Sequence, residues 1–324
     1  MNDILYLVLY VLVFPGFLFL LGYALFLEFI DRRITARMQH RVGPPWYQPL
    51  ADFIKLLGKE VIDPAGIDRK IFDAAPLIAL AAVMTAFIYV PVIGGSPLAF
   101  EGDLVLALYL LAVPTIMLFL LGWLSRNVYA AMGGVRAVTQ LFIYEVPFFL
   151  ALLTPALMAG SWSVSVIAEW QQQHLWFALL QPIGFIVALI GLQAKLERPP
   201  FDIPEAETEI VAGPWTELTG RRLAVMHLAE DVALVTGCGL VVALFLGGPL
   251  LPWDVGPAWL FGIAGFFIFV AKTLCILLIL SAIKAATGRI RIDQLNDVGW
   301  KYIASAAILQ VAVVFVMMSA GVIS

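Results

Sequence analysis

Apolar residues in this chain fall in long unbroken runs, and polar residues gather in the stretches between them. About 20 helical residues cross the ~30 Å hydrocarbon core of a bilayer. Spans are therefore expected at about 4–27, 76–93, 104–125, 137–160, 176–194, 223–247, 256–283 and 302–323. The period-two alternation of a transmembrane β-strand is absent. The pattern predicts an all-α integral membrane protein with eight transmembrane helices, forming one membrane domain over 1–324. No internal repeat of the transporter kind is visible. One segment has a different period: Leu50, Phe53, Ile54, Leu57 and Val61 recur at 3, 4 and 7, with Asp52, Lys55 and Lys59 off that stripe. That is the pattern of an amphipathic surface helix in the first loop.

Composition agrees: of 324 residues, 62% are hydrophobic and 13% charged, against about 25% charged in soluble chains. A soluble enzyme, a disordered chain and a nucleic-acid binder are excluded. The charges that remain are sorted. Loops 28–73, 126–136, 195–222 and 284–301 hold 18 of the 19 Lys and Arg residues, and Lys272 lies within a span. The N-terminus and the loops near 94–103, 161–175 and 247–255 hold none, although Asp3, Glu101, Asp103, Glu169 and Asp254 lie there. By the positive-inside rule the basic side is cytoplasmic. Both termini then face outward from the cell's inner membrane, and no cleavable leader is expected. The large loops 28–73 and 195–222 suit docking of partner proteins.

The chemistry lies in a few ionisable residues. Glu197, Asp202, Glu205, Glu207 and Glu209 fall within 13 residues of the third inner loop, and Glu217 follows. On a helix starting at Pro204, Glu205 and Glu209 would share a face, with Asp202 as the cap. Carboxylates this close should raise one or more pKa values. Glu145, Glu230, Asp231 and Lys272 are expected inside spans, Lys272 about 18 Å from the inner end. Such residues mark functional sites, because burying their charge is costly. Together they outline a proton route from a cytoplasm-side cavity into the bilayer. His227, one turn from Glu230, is expected to be a hydrogen-bonded core residue. Cys238 and Cys275 are far apart in apolar runs, without the spacing of an iron–sulfur or zinc site. No metal-ligand pair, phosphate loop or nucleophile constellation is present.

These residues carry a resemblance. The stretch Glu197–Gly213 (ERPPFDIPEAETEIVAG), with Glu217 and Gly220, resembles the signature loop of the respiratory complex I subunit 1 family. Asp31-Arg32-Arg33, the surface segment QPLADFIKLLGKE, Arg136 through Tyr144-Glu145-Val146, and Arg291-Ile292-Asp293-Gln294 with Gly299-Trp300-Lys301 resemble its other elements, in the same order. The resemblance implies an anchor subunit at the junction of the hydrophilic and membrane arms, with eight spans. Asp202, Glu205, Glu207, Glu209 and Glu217 then match the acidic coupling loop. Glu145 and Lys272 match charges of the proton path. Asp31, Arg32, Arg37, Arg41 and Asp52 match the cavity or quinone entrance.

Two departures narrow the resemblance. Gly43-Pro44-Pro45-Trp46-Tyr47 runs almost directly into Gln48-Pro49, a first loop several residues shorter than in quinone-reducing complexes. Glu217-Leu218 replaces an expected Glu-Tyr pair, and Asp231 replaces a second tyrosine. The short form is similar to the energy-converting hydrogenase branch and its sulfur-reducing relatives. The resemblance thus implies a non-redox subunit of an ion-translocating oxidoreductase. Its partners would be hydrophilic subunits holding iron–sulfur clusters, with a nickel–iron centre in the hydrogenase case, and antiporter-like membrane subunits. This chain would bind no cofactor itself. Two alternatives are the quinone-chamber subunit of an NADH- or ferredoxin-quinone oxidoreductase, with quinone at the interface, and a stand-alone proton-coupled transporter.

Overall fold

The computed structural model describes residues 2–250 and 258–320, and their side chains except those of residues 2–4, 207 and 258–261. Among the described residues the regular structure is helical throughout. Among the described residues seven helical stretches are long and apolar enough to cross a membrane, and the chain is a multi-pass membrane protein.

The first apolar run forms two helices, α1 (Asn2–Leu12) and α2 (Phe17–Met38). Pro15 lies at the break, where its missing N–H would interrupt a helix. The second helix continues well past the expected span. Residues 28–38, expected to open the first loop, form about three more turns and put Glu28, Asp31 and Arg32 on a rigid element. The surface helix is α3 (Gln48–Leu57), with Leu50, Ile54 and Leu57 exposed along one stripe. Next come α4 (Arg69–Ile88), α5 (Asp103–Leu124), α6 (Val128–Ala159), the short α7 (Val164–Gln173) and the one-turn α8 (Phe177–Leu180).

The expected span 176–194 is divided. The chain bends at Gln181 and restarts as α9 (Pro182–Lys195), whose 14 residues reach about 21 Å. The reason is again proline, which accepts the first helical position but cannot continue a preceding helix.

At the centre stands α11 (Gly220–Leu246), reached through the single turn α10 (Glu207–Ile210) and a 3₁₀ turn at Gly213–Glu217. Every residue from Val232 to Phe245 is buried, as expected of a helix that is apolar all round. Around it pack α2, α4, α7 and α12 (Ala258–Ala286). The chain closes with α13 (Ile292–Val298), a π-helical stretch at Gly299–Ala304 and α14 (Ser305–Ser319). Leu18, Phe26, Trp123, Phe142, Phe267 and Phe315 are exposed on the outside of the bundle, the apolar perimeter that a lipid environment covers.

The loops sort to two ends, as the charge pattern predicts. At one end Arg198 and Lys284 meet Asp31, Arg289 meets Asp202, Arg222 meets Asp63 and Asp73, and Asn127 meets Glu217. At the other, Ser161 donates to Glu101, and Gln171 donates to the Ala243 and Leu244 carbonyls. The basic loops therefore share one end of the bundle.

Candidate functional site

A cavity of about 470 Å³ opens at the basic end. Its wall is built by the last turns of α2 (Glu28, Asp31, Arg32), by α3 (Asp52, Phe53, Lys55), by Arg198 and Glu205 of the loop, by the start of α11 (His227, Glu230, Asp231) and by Lys284 of α12. More than half of the lining residues are ionisable. Two ion-pair networks hold the wall. Arg32 joins Glu28 one turn back and reaches Asp52 at 3.1 Å, tying α2 to α3. Asp31, only 1% exposed, is bound by Arg198, by Lys284 at 3.2 Å and by the Ser281 hydroxyl. A buried charge needs such partners, since its desolvation is otherwise uncompensated.

Beyond this chamber lies a small cavity of about 30 Å³ lined by Thr115, Lys195, Leu196, Glu197, Met226 and Glu230, among others. Glu230 and Leu196 line both spaces. Glu197 sits in the second, and burial pushes its carboxyl up to about 8, with the Glu230 and Glu205 charges adding to the rise. Lys195, buried at the end of α9, reaches Glu145 of α6 with Nζ–O distances of 2.7 and 3.1 Å. It also lies over the Tyr144 and Phe148 rings. Glu145 is thus one half of an ion pair. Glu230, Glu197, Lys195 and Glu145 form a file of ionisable groups leading away from the chamber.

The pH dependence of Glu197 has a definite sign. Between its ordinary value of 4.5 and about 8, the folded chain keeps a proton that the unfolded chain releases. Stability therefore falls as pH rises through that window. Melting temperatures of wild type and Glu197→Gln should diverge in the variant's favour from about pH 5 to about pH 9. A difference that stays constant with pH would argue against a protonated Glu197 in the folded chain.

The acidic loop differs from its expected form. No helix starts at Pro204, and only one turn forms, from Glu207. Glu205 and Glu209 consequently do not share a face. Glu205 lines the chamber, whereas Glu209 pairs with Arg136 at 2.6 Å, and that guanidinium holds its carboxyl below the usual range. Nor does Asp202 cap a helix: its carboxylate lies 3.3 Å from Arg289, whose Nη2 also donates to the Asp202 carbonyl. Glu217 accepts from Asn127 at 2.7 Å. The side chain of Glu207 lies outside the described residues. The loop carboxylates fan out to separate partners, and the rise at Glu197 comes first from desolvation and only then from neighbouring carboxylates.

Close packing holds this loop on α6. Gly213 has φ +52°, and a Cβ there would stand 2.1 Å from the Pro204 carbonyl oxygen. A Cβ on Gly133 would lie 2.6 Å from Pro214, 2.7 Å from Gly213 and 2.9 Å from the Pro204 carbonyl. Gly133→Ala should therefore lift the loop from α6 at a cost of about 1–3 kcal/mol. Faster tryptic cleavage at exposed Arg221 would report it, and an unchanged rate would mean the contact is dispensable.

Other expected residues lie apart. Arg37 and Arg41 are exposed and do not line the chamber. Lys272 is at the opposite end of the bundle, where its ammonium donates to the Leu246, Gly248 and Leu250 carbonyls at 2.6–3.0 Å and covers Trp176. From Glu230 to Leu246 is about 24 Å along α11, so Lys272 belongs to no part of the chamber. Sequence reasoning missed Lys195, Glu28 and Lys284 as partners. It also left Glu197 out of the site, although Glu197 opens the acidic run. Among the described residues no group of three or more His, Cys, Asp or Glu could hold a metal.

Residues 10–315 match the NADH dehydrogenase family. An NADH-quinone oxidoreductase subunit of Carboxydothermus hydrogenoformans is 35% identical, over 96% of this chain and 88% of that one. NADH-quinone oxidoreductase subunit 8 of Thermus thermophilus is 38% identical, over 88% of this chain and 80% of that one. Among solved structures, a chain of the membrane-bound sulfane sulfur reductase, an archaeal respiratory membrane complex, superposes with a TM-score of 0.83. Its identity is 29%, over 92% of this chain and 96% of that one.

Proposed function

The chain belongs to the NADH dehydrogenase family that its residues 10–315 match, and from that premise we propose that it couples electron transfer in partner subunits to proton entry. It is a membrane subunit of a complex I-like oxidoreductase. Iron–sulfur partners dock at the basic end over the chamber, which faces the cytoplasm, with both termini outward from the inner membrane. Antiporter-like membrane subunits take the protons onward. The observation that carries this reading is the chamber itself: a charged, roomy cavity joined through Glu230 to the file Glu197, Lys195 and Glu145.

Proton motion follows from the neighbours. Water in the chamber brings protons to Glu230, and Glu197 is a natural recipient because its surroundings favour its neutral form below about pH 8. The Glu145–Lys195 pair is the next stage. Electron transfer in the hydrophilic partners acts by moving the acidic loop, which changes the field of Glu205 at the chamber wall.

The same lining bears on the partner's chemistry. A quinone's isoprenoid tail needs an apolar channel, and burying these charged groups against hydrocarbon would be costly. The ionisable wall supports a hydrogenase-type or sulfur-reducing machine, in line with the short first loop and with Asp231. A quinone-reducing machine is the second reading, supported by the names of the relatives from C. hydrogenoformans and T. thermophilus. The deciding measurement is the nickel content of the intact complex purified through a tag on this chain. Stoichiometric nickel with iron is expected. Iron without nickel would sink the hydrogenase assignment and leave sulfur or quinone reduction.

A further inference from the structure

His227 is not the enclosed core residue that its position on a largely apolar helix suggests. Its side chain is 48% exposed, lines the chamber and places Nδ1 3.5 Å from Glu230 Oε2. Its ring lies parallel to that of Trp215, with centroids 4.7 Å apart and planes within 5°. Trp215 belongs to the 3₁₀ turn that ends the acidic loop, and it is itself buried. One imidazole thus touches the loop, the chamber and the carboxylate shared by the two cavities.

We infer that His227 is a proton relay between chamber water and Glu230, held in line by Trp215. The inference rests on the reading above, in which protons enter through the chamber. Imidazole suits the step because its two nitrogens can take a proton on one side and release one on the other, near neutral pH. In one transfer a chamber hydronium gives a proton to Nε2, and Nδ1 gives a proton to Glu230 Oε2. One charge crosses the ring and no electron moves. At 3.5 Å the pair stands at the outer limit of a hydrogen bond, so a slight closure or an intervening water completes the contact. The ring returns to its starting tautomer when water of the chamber protonates Nδ1 and takes the proton from Nε2, so the net result is one proton moved from the chamber to Glu230.

The surroundings set the direction. Glu28, Asp31 and Arg32 of α2, Asp52 and Lys55 of α3, Arg198 and Glu205 of the loop, Glu230 and Asp231 of α11, and Lys284 of α12 line the same space. Carboxylates outnumber cations among them, which favours arrival of a proton from the chamber. The stack also makes the step conditional. A shift of Gly213–Glu217 away from α11 takes Trp215 off the ring, and nothing aromatic then keeps Nδ1 aimed at Glu230. The state of the acidic loop would thereby gate proton entry.

The test uses the intact complex in proteoliposomes, with the membrane potential built during turnover read by an oxonol dye, since imidazole collapses a pH gradient. His227→Phe keeps an aromatic ring against Trp215 but cannot carry a proton. It should lower the rate of potential build-up by about 100-fold, the lower end of general acid–base effects. His227→Ala should show the same loss, partly restored by added imidazole, which the chamber has room to admit. Glu230→Gln should be equally impaired and not restored. Normal charging by His227→Phe beside an impaired Glu230→Gln would overturn the relay and leave the wider reading standing. A His227→Ala loss that imidazole does not relieve would likewise overturn it. Normal charging by Glu230→Gln would remove both the relay and the reading on which it rests.

Discussion

Replacing Glu230 with Gln is expected to suppress proton translocation by the assembled complex by on the order of 100-fold, the lower end of the range for losing a proton-transferring group. The size follows from position. Glu230 and Leu196 are the residues that line both the chamber and the small cavity beyond it, and leucine cannot carry a proton. Glutamine preserves shape and hydrogen bonding while removing the exchangeable proton, so folding should survive. Proton uptake per electron, measured in proteoliposomes, reports the effect. Glu209→Gln provides the contrast, because that carboxylate is tied to Arg136 away from the chamber. Normal pumping by Glu230→Gln would show that entry bypasses Glu230.

The second large effect is expected on assembly. Asp31 is buried beneath Arg198, Lys284 and Ser281, which come from the segment before the acidic loop and from α12. Asp31→Ala removes the shared counter-charge and leaves two cations facing each other. Breaking a buried pair in this way costs about 3–5 kcal/mol. Less chain in the membrane and a lower midpoint of thermal aggregation should follow. A variant that accumulates and melts like wild type would mean that water, and not Asp31, neutralises these cations.

The parts of this architecture that were legible in the sequence are those fixed by local composition. An uncharged run of 20 residues has few alternatives to a membrane helix, and the one-sided distribution of Lys and Arg correctly grouped the loops at one end. Proline marks both departures, at Pro15 and Pro182, where an apolar run conceals a break in hydrogen bonding. The site was half legible. Glu205, Glu230, Asp231, Arg32 and Asp52 do meet in one cavity. Lys272, read as part of the same route from its depth, serves a helix terminus at the far end. What local pattern cannot supply is the choice of partner. Lys195 and Glu145 are 50 residues apart, and Lys284 and Asp31 are 253 apart. The acidic loop looked like one cluster because its carboxylates are close along the chain. Cations from α6 and from the segment after α12 draw them in different directions.

Lys272 has a mechanical consequence. By holding the Leu246, Gly248 and Leu250 carbonyls together, it fastens one extremity of α11 to α12, while the opposite extremity is held through side chains, by the pairs of Arg222 with Asp63 and Asp73 and by the Trp215 ring on His227. A rod secured at one end responds to a push at the other by swinging about its fastening. Over an arm of ~24 Å, a 1 Å sideways shift at Glu230 is a tilt of about 2°. A swing that small changes the 4.7 Å stacking of His227 on Trp215, which belongs to the loop and not to the rod, and it leaves the buried middle of the rod almost where it was.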